Sequence, residues 1–155
     1  GCVLDACAYL VHSARHFYNC EPQHVYAVLS KEDGYEVETH ATILLDFGNG
    51  RVANLVTGFN NKYKSQQVLW GSKGVLSLER AYALPPDFCS TLVIETQEGQ
   101  QSYQMPACNH FEEEMRYFVA NHATHAEEWR NEFLNQTRVL MKIKENEVET
   151  KDLTR

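Results

Sequence analysis

Asp5, Tyr9, His12 and His16 fall three or four residues apart in the stretch LDACAYLVHSARHF, Leu4 to Phe17. That spacing places side chains on one stripe of a helix. A carboxylate, a phenol and two imidazoles are groups that move or hold protons. A tyrosine hydroxyl, with a pKa of about 10, can protonate a developing alkoxide, or take the proton back when a nearby cation lowers that pKa. A carboxylate one turn away can hold a substrate hydroxyl or orient the acid. Taken alone, Asp5 reads as ordinary negative charge at a helix start, where the dipole stabilises it.

The other chemical candidates are weaker. His12 and His16 have the i,i+4 spacing of zinc sites, but the intervening Ser-Ala-Arg lacks the glutamate of HExxH. Cys2 and Cys7 are close by, yet neither spacing matches a structural zinc module, so no metal site is expected. His12 is expected to extend the polar stripe toward a cleft and bind substrate, with His16 solvated at the helix end. The segment NNKYK brings Lys62, Tyr63 and Lys64, and Arg80 follows. These residues could hold a phosphate, against the ordinary alternative of scattered surface charge. Asn135-Gln136-Thr137 has the form of a glycosylation acceptor but lies within a helical pattern. GxGxxG, Walker and GxSxG motifs are all absent, so no cofactor site is expected in this chain.

The elements that must position these groups follow from periodicity. Cys7, Leu10, Val11, Ala14 and Phe17 give the opening helix, residues 1–18, its apolar face. HVYAVLS, His24 to Ser30, reads as a strand. From Val37 the residues alternate, with Val37, Thr39, Ala41, Ile43, Leu45 and Phe47 on one face. Asn49-Gly50 signals a hairpin, and Val52 to Phe59 returns antiparallel. Gln66 to Trp70 and Val75 to Leu78 flank the turn Gly71-Ser72-Lys73-Gly74. Thr91 to Thr96 and Gln101 to Met105 form a second hairpin around Glu98-Gly99. A sheet over 24–107 is thus followed by helices over 109–145: Asn109 and Glu112 predict one capping box, Thr124 and Glu127 a second. Phe111, Met115, Phe118 and Val119 would face inward, and the charged tail after Lys144 is expected to fray. The fold class is α+β, an open, predominantly antiparallel sheet with helices on one face.

Leu44, Leu55 and Phe59 cannot all share one core with Ile43 and Val56, so the centre of the sheet is apolar on both faces. The second face calls for a cover, either a crossing loop or, as preferred here, another subunit's sheet.

The bulk numbers suit one domain of 155 residues, with 43% hydrophobic residues. A net charge of −7 disfavours a general nucleic-acid or anionic-membrane partner, since both favour a basic surface. No apolar run approaches the ~20 residues of a membrane span, and no basic-then-apolar leader is visible. Five cysteines without CxxC spacing read as reduced thiols, which predicts a cytoplasmic protein.

GCVLDACAYLVHSARHF, ETHATILLDFGNGRVANLVTGF, VLWGSKGVLSLERAYALPP and NHFEEEMRYF occur in that order. Together they resemble the C-terminal domain of the Gfo/Idh/MocA family of NAD(P)-dependent oxidoreductases. The resemblance implies an N-terminal Rossmann domain, absent from this sequence, that binds NAD or NADP and supplies a catalytic lysine. Gly1 then resembles the remnant of the glycine-rich turn before the catalytic helix. Asp5 and Tyr9 stand where the family carries Asp and, four residues on, His or Tyr. The implied reaction is reversible hydride transfer at a carbinol or keto carbon, with Tyr9 as acid/base and Asp5 positioning substrate. Tyr9, WGSKG and ERAYALPPDF are similar to the branch acting on sugars and nucleotide-linked keto-sugars. The resemblance also implies pairing of sheets in a homodimer or larger homo-oligomer, with this chain alone inactive. The alternative is a stand-alone interaction or scaffold domain without catalytic activity.

Overall fold

The computed structural model describes residues 1–145; the charged end of the chain, for which fraying is expected, lies almost wholly outside them. The element order is α1 (Ala6–Tyr18), β1 (His24–Ser30), β2 (His40–Asp46), β3 (Val52–Gly58), β4 (Gln67–Gly71), β5 (Gly74–Leu78), β6 (Thr91–Thr96), β7 (Gly99–Gln104) and α2 (His110–Glu145). All strand pairings are antiparallel, in agreement with the expected α+β class. The strands form two sheets, β1-β2-β3 and β4-β5-β6-β7, where one sheet over 24–107 is expected. The NNKYKS segment after β3 carries no ladder, which ends the first sheet before the second begins. The chain divides into two compact units, one of Gly1–Asn61 with the residues from Glu127 onward, the other of Lys62–Ala126.

In the first unit the alternation along β2 is realised in three dimensions. Ala41, Ile43 and Leu45 point inward, and their cross-strand partners Thr57, Leu55 and Ala53 share that face. Cys7, Val11 and Ala14 of α1 and Val139, Leu140 and Ile143 of α2 complete the same core. Burying apolar surface is the main favourable term, at roughly 1.5–3 kcal/mol for each of the Val, Leu and Ile side chains in this set. Val37 departs from the expected alternation: it precedes β2 and is exposed. By the strand register Tyr26, Val28, Leu44 and Val56 lie on the opposite face, where Tyr26, Val28 and Val56 are exposed and Leu44 is half-buried.

The β2–β3 turn shows why Asn-Gly signals a hairpin. Gly48, Asn49 and Gly50 all take positive φ, at 77°, 56° and 75°. Glycine does this freely and asparagine more readily than most residues. The Gly48 amide donates to Asp46 Oδ1 at 2.8 Å, and the Phe47 amide to the Arg51 carbonyl at 2.8 Å.

In the second unit Lys62–Ala126 carries the four-stranded sheet and the first part of α2. Asn109 Oδ1 accepts the Glu112 amide at 3.4 Å, the expected N-cap bond. The second helix start expected at Thr124 is not used. Its hydroxyl donates to the Asn121 carbonyl at 3.1 Å, inside the helix rather than across its end. No Gly or Pro interrupts 110–145, so α2 is one helix of 36 residues instead of two. Phe111, Met115, Phe118 and Val119, expected to face inward, are exposed.

Candidate active site

The stripe bearing Asp5, Tyr9, His12 and His16 faces away from the core, and all four residues are exposed. On the opposite side of α1 lie Cys7, Val11, Ala14 and Arg15. At about 100° per residue the two sets occupy opposite halves of the helix surface. Asp5 is the N-cap residue, yet its side chain makes no cap hydrogen bond. Only its backbone carbonyl takes part, accepting the Ala8 amide at 3.3 Å. The carboxylate is therefore not spent on capping. The Tyr9 ring, on the next turn, is 54% exposed. His12 lies against His16 with ring centroids 6.3 Å apart, nearly parallel. Both imidazoles stand on the open surface of α1, and the cleft expected around His12 is not formed by this helix alone.

Cys2, before this helix, and Cys7, within it, are unsuited to nucleophilic work. Burial, reinforced by Cys2, pushes the Cys7 thiol up to about 12. Burial and then the Glu38 carboxylate also raise Cys2. A thiol held protonated neither attacks a carbonyl nor binds a metal readily. Among the described residues no three His, Cys, Asp or Glu side chains gather in a metal-binding group.

Several contacts set the attitude of α1. At its entry the Cys2 amide donates to the Glu38 carbonyl at 3.0 Å, and the Val3 amide to Glu38 Oε1 at 3.3 Å. Lys144 Nζ lies 3.7 Å from Glu38 Oε2. At its exit Tyr18 donates to the Val52 carbonyl at 2.9 Å and packs on Phe47 with ring centroids 4.7 Å apart. Asn19 then closes the helix in the left-handed conformation, φ 50°.

Between these ends lies Arg15, which sequence reasoning passed over and which is only 4% exposed. Its Nε and Nη2 donate to the two Glu21 oxygens at 2.7 and 2.6 Å. Nη1 reaches Gln136 Oε1 and Nη2 reaches Glu132 Oε2, each at 3.1 Å. Gln136 in turn donates to the Ala8 carbonyl at 2.8 Å. The clue in the sequence is an arginine on the apolar stripe of Val11 and Ala14, with a glutamate six residues on.

The remaining sequence candidates belong to the second unit. Tyr63 and Lys64 are exposed and Arg80 is half-buried. The structure brings two of them together: the Arg80 guanidinium lies over the Tyr63 ring, 5.4 Å from its centroid. Phe88, absent from the sequence candidates, offers Arg80 a second ring at 4.9 Å.

Residues 1–77 match the GFO/IDH/MocA C-terminal domain. The chain belongs to the Gfo/Idh/MocA family. It is 30% identical to the dTDP-3,4-didehydro-2,6-dideoxy-alpha-D-glucose 3-reductase of Streptomyces antibioticus over 119 residues, 77% of this chain and 36% of that one. The enzyme of the same name from Actinomadura kijaniata is 28% identical over 138 residues, 88% of this chain and 42% of the relative. Among solved structures, a mutant of KijD10, a 3-ketoreductase from Actinomadura kijaniata in complex with TDP-benzene and NADP, superposes with a TM-score of 0.89. It is 25% identical, over 96% of this chain and 48% of that one. The open conformation of KijD10 gives 0.87 at 26% identity, over 95% and 47%. The chain thus spans less than half the length of these relatives.

The Arg15 cluster makes a prediction about the frame of the site. The hydrogen bonds from Arg15, and then its charge, hold the Glu21 carboxyl below the usual carboxylate range, against partial burial, which acts in the opposite direction. Glu21 with a depressed folded pKa contributes stability that is present above the ordinary glutamate range and fades as pH falls through the folded value. Wild-type stability should decline in that acidic window, and Glu21→Gln should flatten the decline. Arg15→Met, which keeps the aliphatic stem, should cost about 2 kcal/mol, in the range of a lost charge-assisted hydrogen bond. Urea unfolding across pH measures both, and identical pH profiles for wild type and Glu21→Gln would remove Glu21 from this role.

Proposed function

We propose that this chain is the substrate-binding and oligomerisation part of an NAD(P)-dependent oxidoreductase acting on a nucleotide-linked keto-sugar. The observation that carries this reading is the exposed α1 surface bearing Asp5 and Tyr9 on a C-terminal domain of this family. Support for the substrate class comes from the relatives, which are reductases of dTDP-linked sugars, and from TDP-benzene in a KijD10 complex; support for the cofactor comes from the NADP in the same complex.

The dinucleotide is assigned to residues outside this chain, because the sequence offers no strand, glycine loop and helix to receive a pyrophosphate. When bound, it supplies a hydride to the keto carbon, or accepts one from the carbinol. The work of this chain is to place the substrate and to handle the proton. As the carbonyl oxygen gains negative charge, the Tyr9 hydroxyl donates its proton to it; in the reverse direction the phenolate takes the proton back. Asp5, one turn earlier, accepts a hydrogen bond from a neighbouring sugar hydroxyl and so fixes which carbon faces the tyrosine. His12 contributes to affinity rather than chemistry. Five free cysteines and no membrane-length apolar helix among the described residues accord with a cytoplasmic setting.

The apolar outer surface of the three-stranded sheet is the part assigned to oligomerisation. Tyr26, Val28, Leu44 and Val56 form a patch that a second copy would bury.

In the full-length protein Tyr9→Phe should fold normally and lose roughly two to four orders of magnitude in kcat, the usual worth of acid–base catalysis. Asp5→Asn should raise KM along with a smaller loss of kcat. Steady-state kinetics on a dTDP-linked keto-sugar decides, and near-normal kcat in Tyr9→Phe would assign the proton to another group. The isolated 155-residue chain should bind no NADPH by calorimetry; micromolar binding would contradict the assignment of the dinucleotide to other residues. Val56→Asp should convert the oligomer to monomer on a sizing column, because an unpaired charge in an apolar interface is costly. An unchanged elution volume with native circular dichroism would move the interface elsewhere.

A further inference from the structure

Asp5 and Tyr9 belong to a helical turn that does little to hold itself. Asp5 makes no side-chain cap, and no acidic residue occupies the first turn of α1. A helix start of this kind frays readily, because its first amides find no partner within the helix. Here a fastening comes from outside α1. Ala8 stands between the two groups in the chain and is tied at both its polar atoms. Its amide donates to the Asp5 carbonyl at 3.3 Å, and its carbonyl accepts Gln136 Nε2 of α2 at 2.8 Å. That carbonyl shares a peptide plane with the Tyr9 nitrogen, so fixing the one fixes the other. A carbonyl oxygen has two lone pairs, and Gln136 can take one without displacing a helical bond on the other.

Gln136 is itself held at both atoms of its amide. Its Oε1 accepts Arg15 Nη1 at 3.1 Å while its Nε2 serves Ala8. Ala8 and Arg15 are seven residues apart, about two turns, and so lie on one line along α1. One side chain of α2 therefore grips that line at two points. The α2 backbone behind it is firm, since Val139, Leu140 and Ile143 follow on the same stripe and are buried. The residue type also fits. Among side chains of this length, only an amide offers a donor to Ala8 and an acceptor to Arg15 at once.

We infer that Gln136 is a positioning residue for the proposed acid/base, setting through the Ala8 carbonyl where Tyr9 and Asp5 stand. The inference deepens the proposed function and rests on it for the role of Tyr9. Gln136 acts on the chemistry through the backbone of α1. The Tyr9 hydroxyl ends a long, rigid side chain, so a small tilt of its peptide is magnified at the oxygen. Proton transfer is sensitive to such tilts, since a misplacement of about 1 Å can cost roughly a hundredfold in rate.

The test is a double-mutant cycle in the full-length protein, read by steady-state kinetics on a dTDP-linked keto-sugar. Gln136→Met, similar in length but without donor or strong acceptor, should lower kcat roughly tenfold and raise KM less. Gln136→Glu keeps an acceptor for Arg15 but sets an acceptor against the Ala8 carbonyl, so it should lose at least as much. Added to Tyr9→Phe, either change should cost less than about twofold more, because the proton donor it misplaces is already gone. A purely structural role would instead cost the same in both backgrounds. In the wild type, a scalar coupling across the hydrogen bond from Gln136 Nε2 to the Ala8 carbonyl carbon should be measurable, a reading that survives if both variants fail to fold. Wild-type kcat in folded Gln136→Glu, equal losses with and without the Tyr9 hydroxyl, or an absent coupling would overturn the inference. With Tyr9→Phe still crippled, those results leave the proposed function standing. Near-normal kcat in Tyr9→Phe alone would sink the proposed function, and the positioning role with it.

Discussion

A guanidinium removed almost wholly from water at Arg15 governs how α1 lies on its sheet. Such a charge is tolerated only where its donors are matched, and here Glu21, Glu132 and Gln136 match them. The acceptors come from the turn after α1 and from the second half of α2. The helix therefore cannot roll about its axis without stranding a buried charge. Apolar packing of Cys7, Val11 and Ala14 would hold α1 down but would resist rotation less sharply, because aliphatic contacts are non-directional. Orientation comes from the ion cluster, and adhesion comes from the core.

That division shapes what is presented on the far side of the helix. With Cys7, Val11, Ala14 and Arg15 all facing inward, helical geometry puts Asp5 and Tyr9 outward. Glu38 at the entry and Tyr18 at the exit hold the two ends. The proposed acid/base and its orienting carboxylate thus sit on a stiff element rather than a loop, which suits groups that must meet a reacting carbon closely.

Much of this was legible in the sequence where a single period speaks. The alternation from Thr39 to Phe47 and the Asn49-Gly50 turn placed β2 and β3 closely, because strand pleat and left-handed turns impose strict local rules. The Asp5–Tyr9 stripe was legible for the same reason. Features that depend on distant partners were not. The burial of Arg15 relies on Glu132 and Gln136, more than a hundred residues away in sequence. The contact of Phe88 with Arg80 is made by a loop after two prolines. Thr124 and Glu127 carry the residue types of a capping box, yet without a breaker before them the helix runs through. The division of the strands into two sheets turns on a segment whose composition marks a loop but not a sheet edge.

The contacts that hold α1 and those that face solvent share almost no residues. The fastenings at Cys7, Val11, Ala14 and Arg15 lie on the inner stripe, and those at Tyr18 and Glu38 at the two ends. Such a helix works as a socket. Its outward residues can be exchanged across generations while the mount stays constant, so new substrates or a different proton donor are reachable by single replacements that leave the protein folded. The same scaffold can diversify its chemistry without first acquiring extra stability to survive the change.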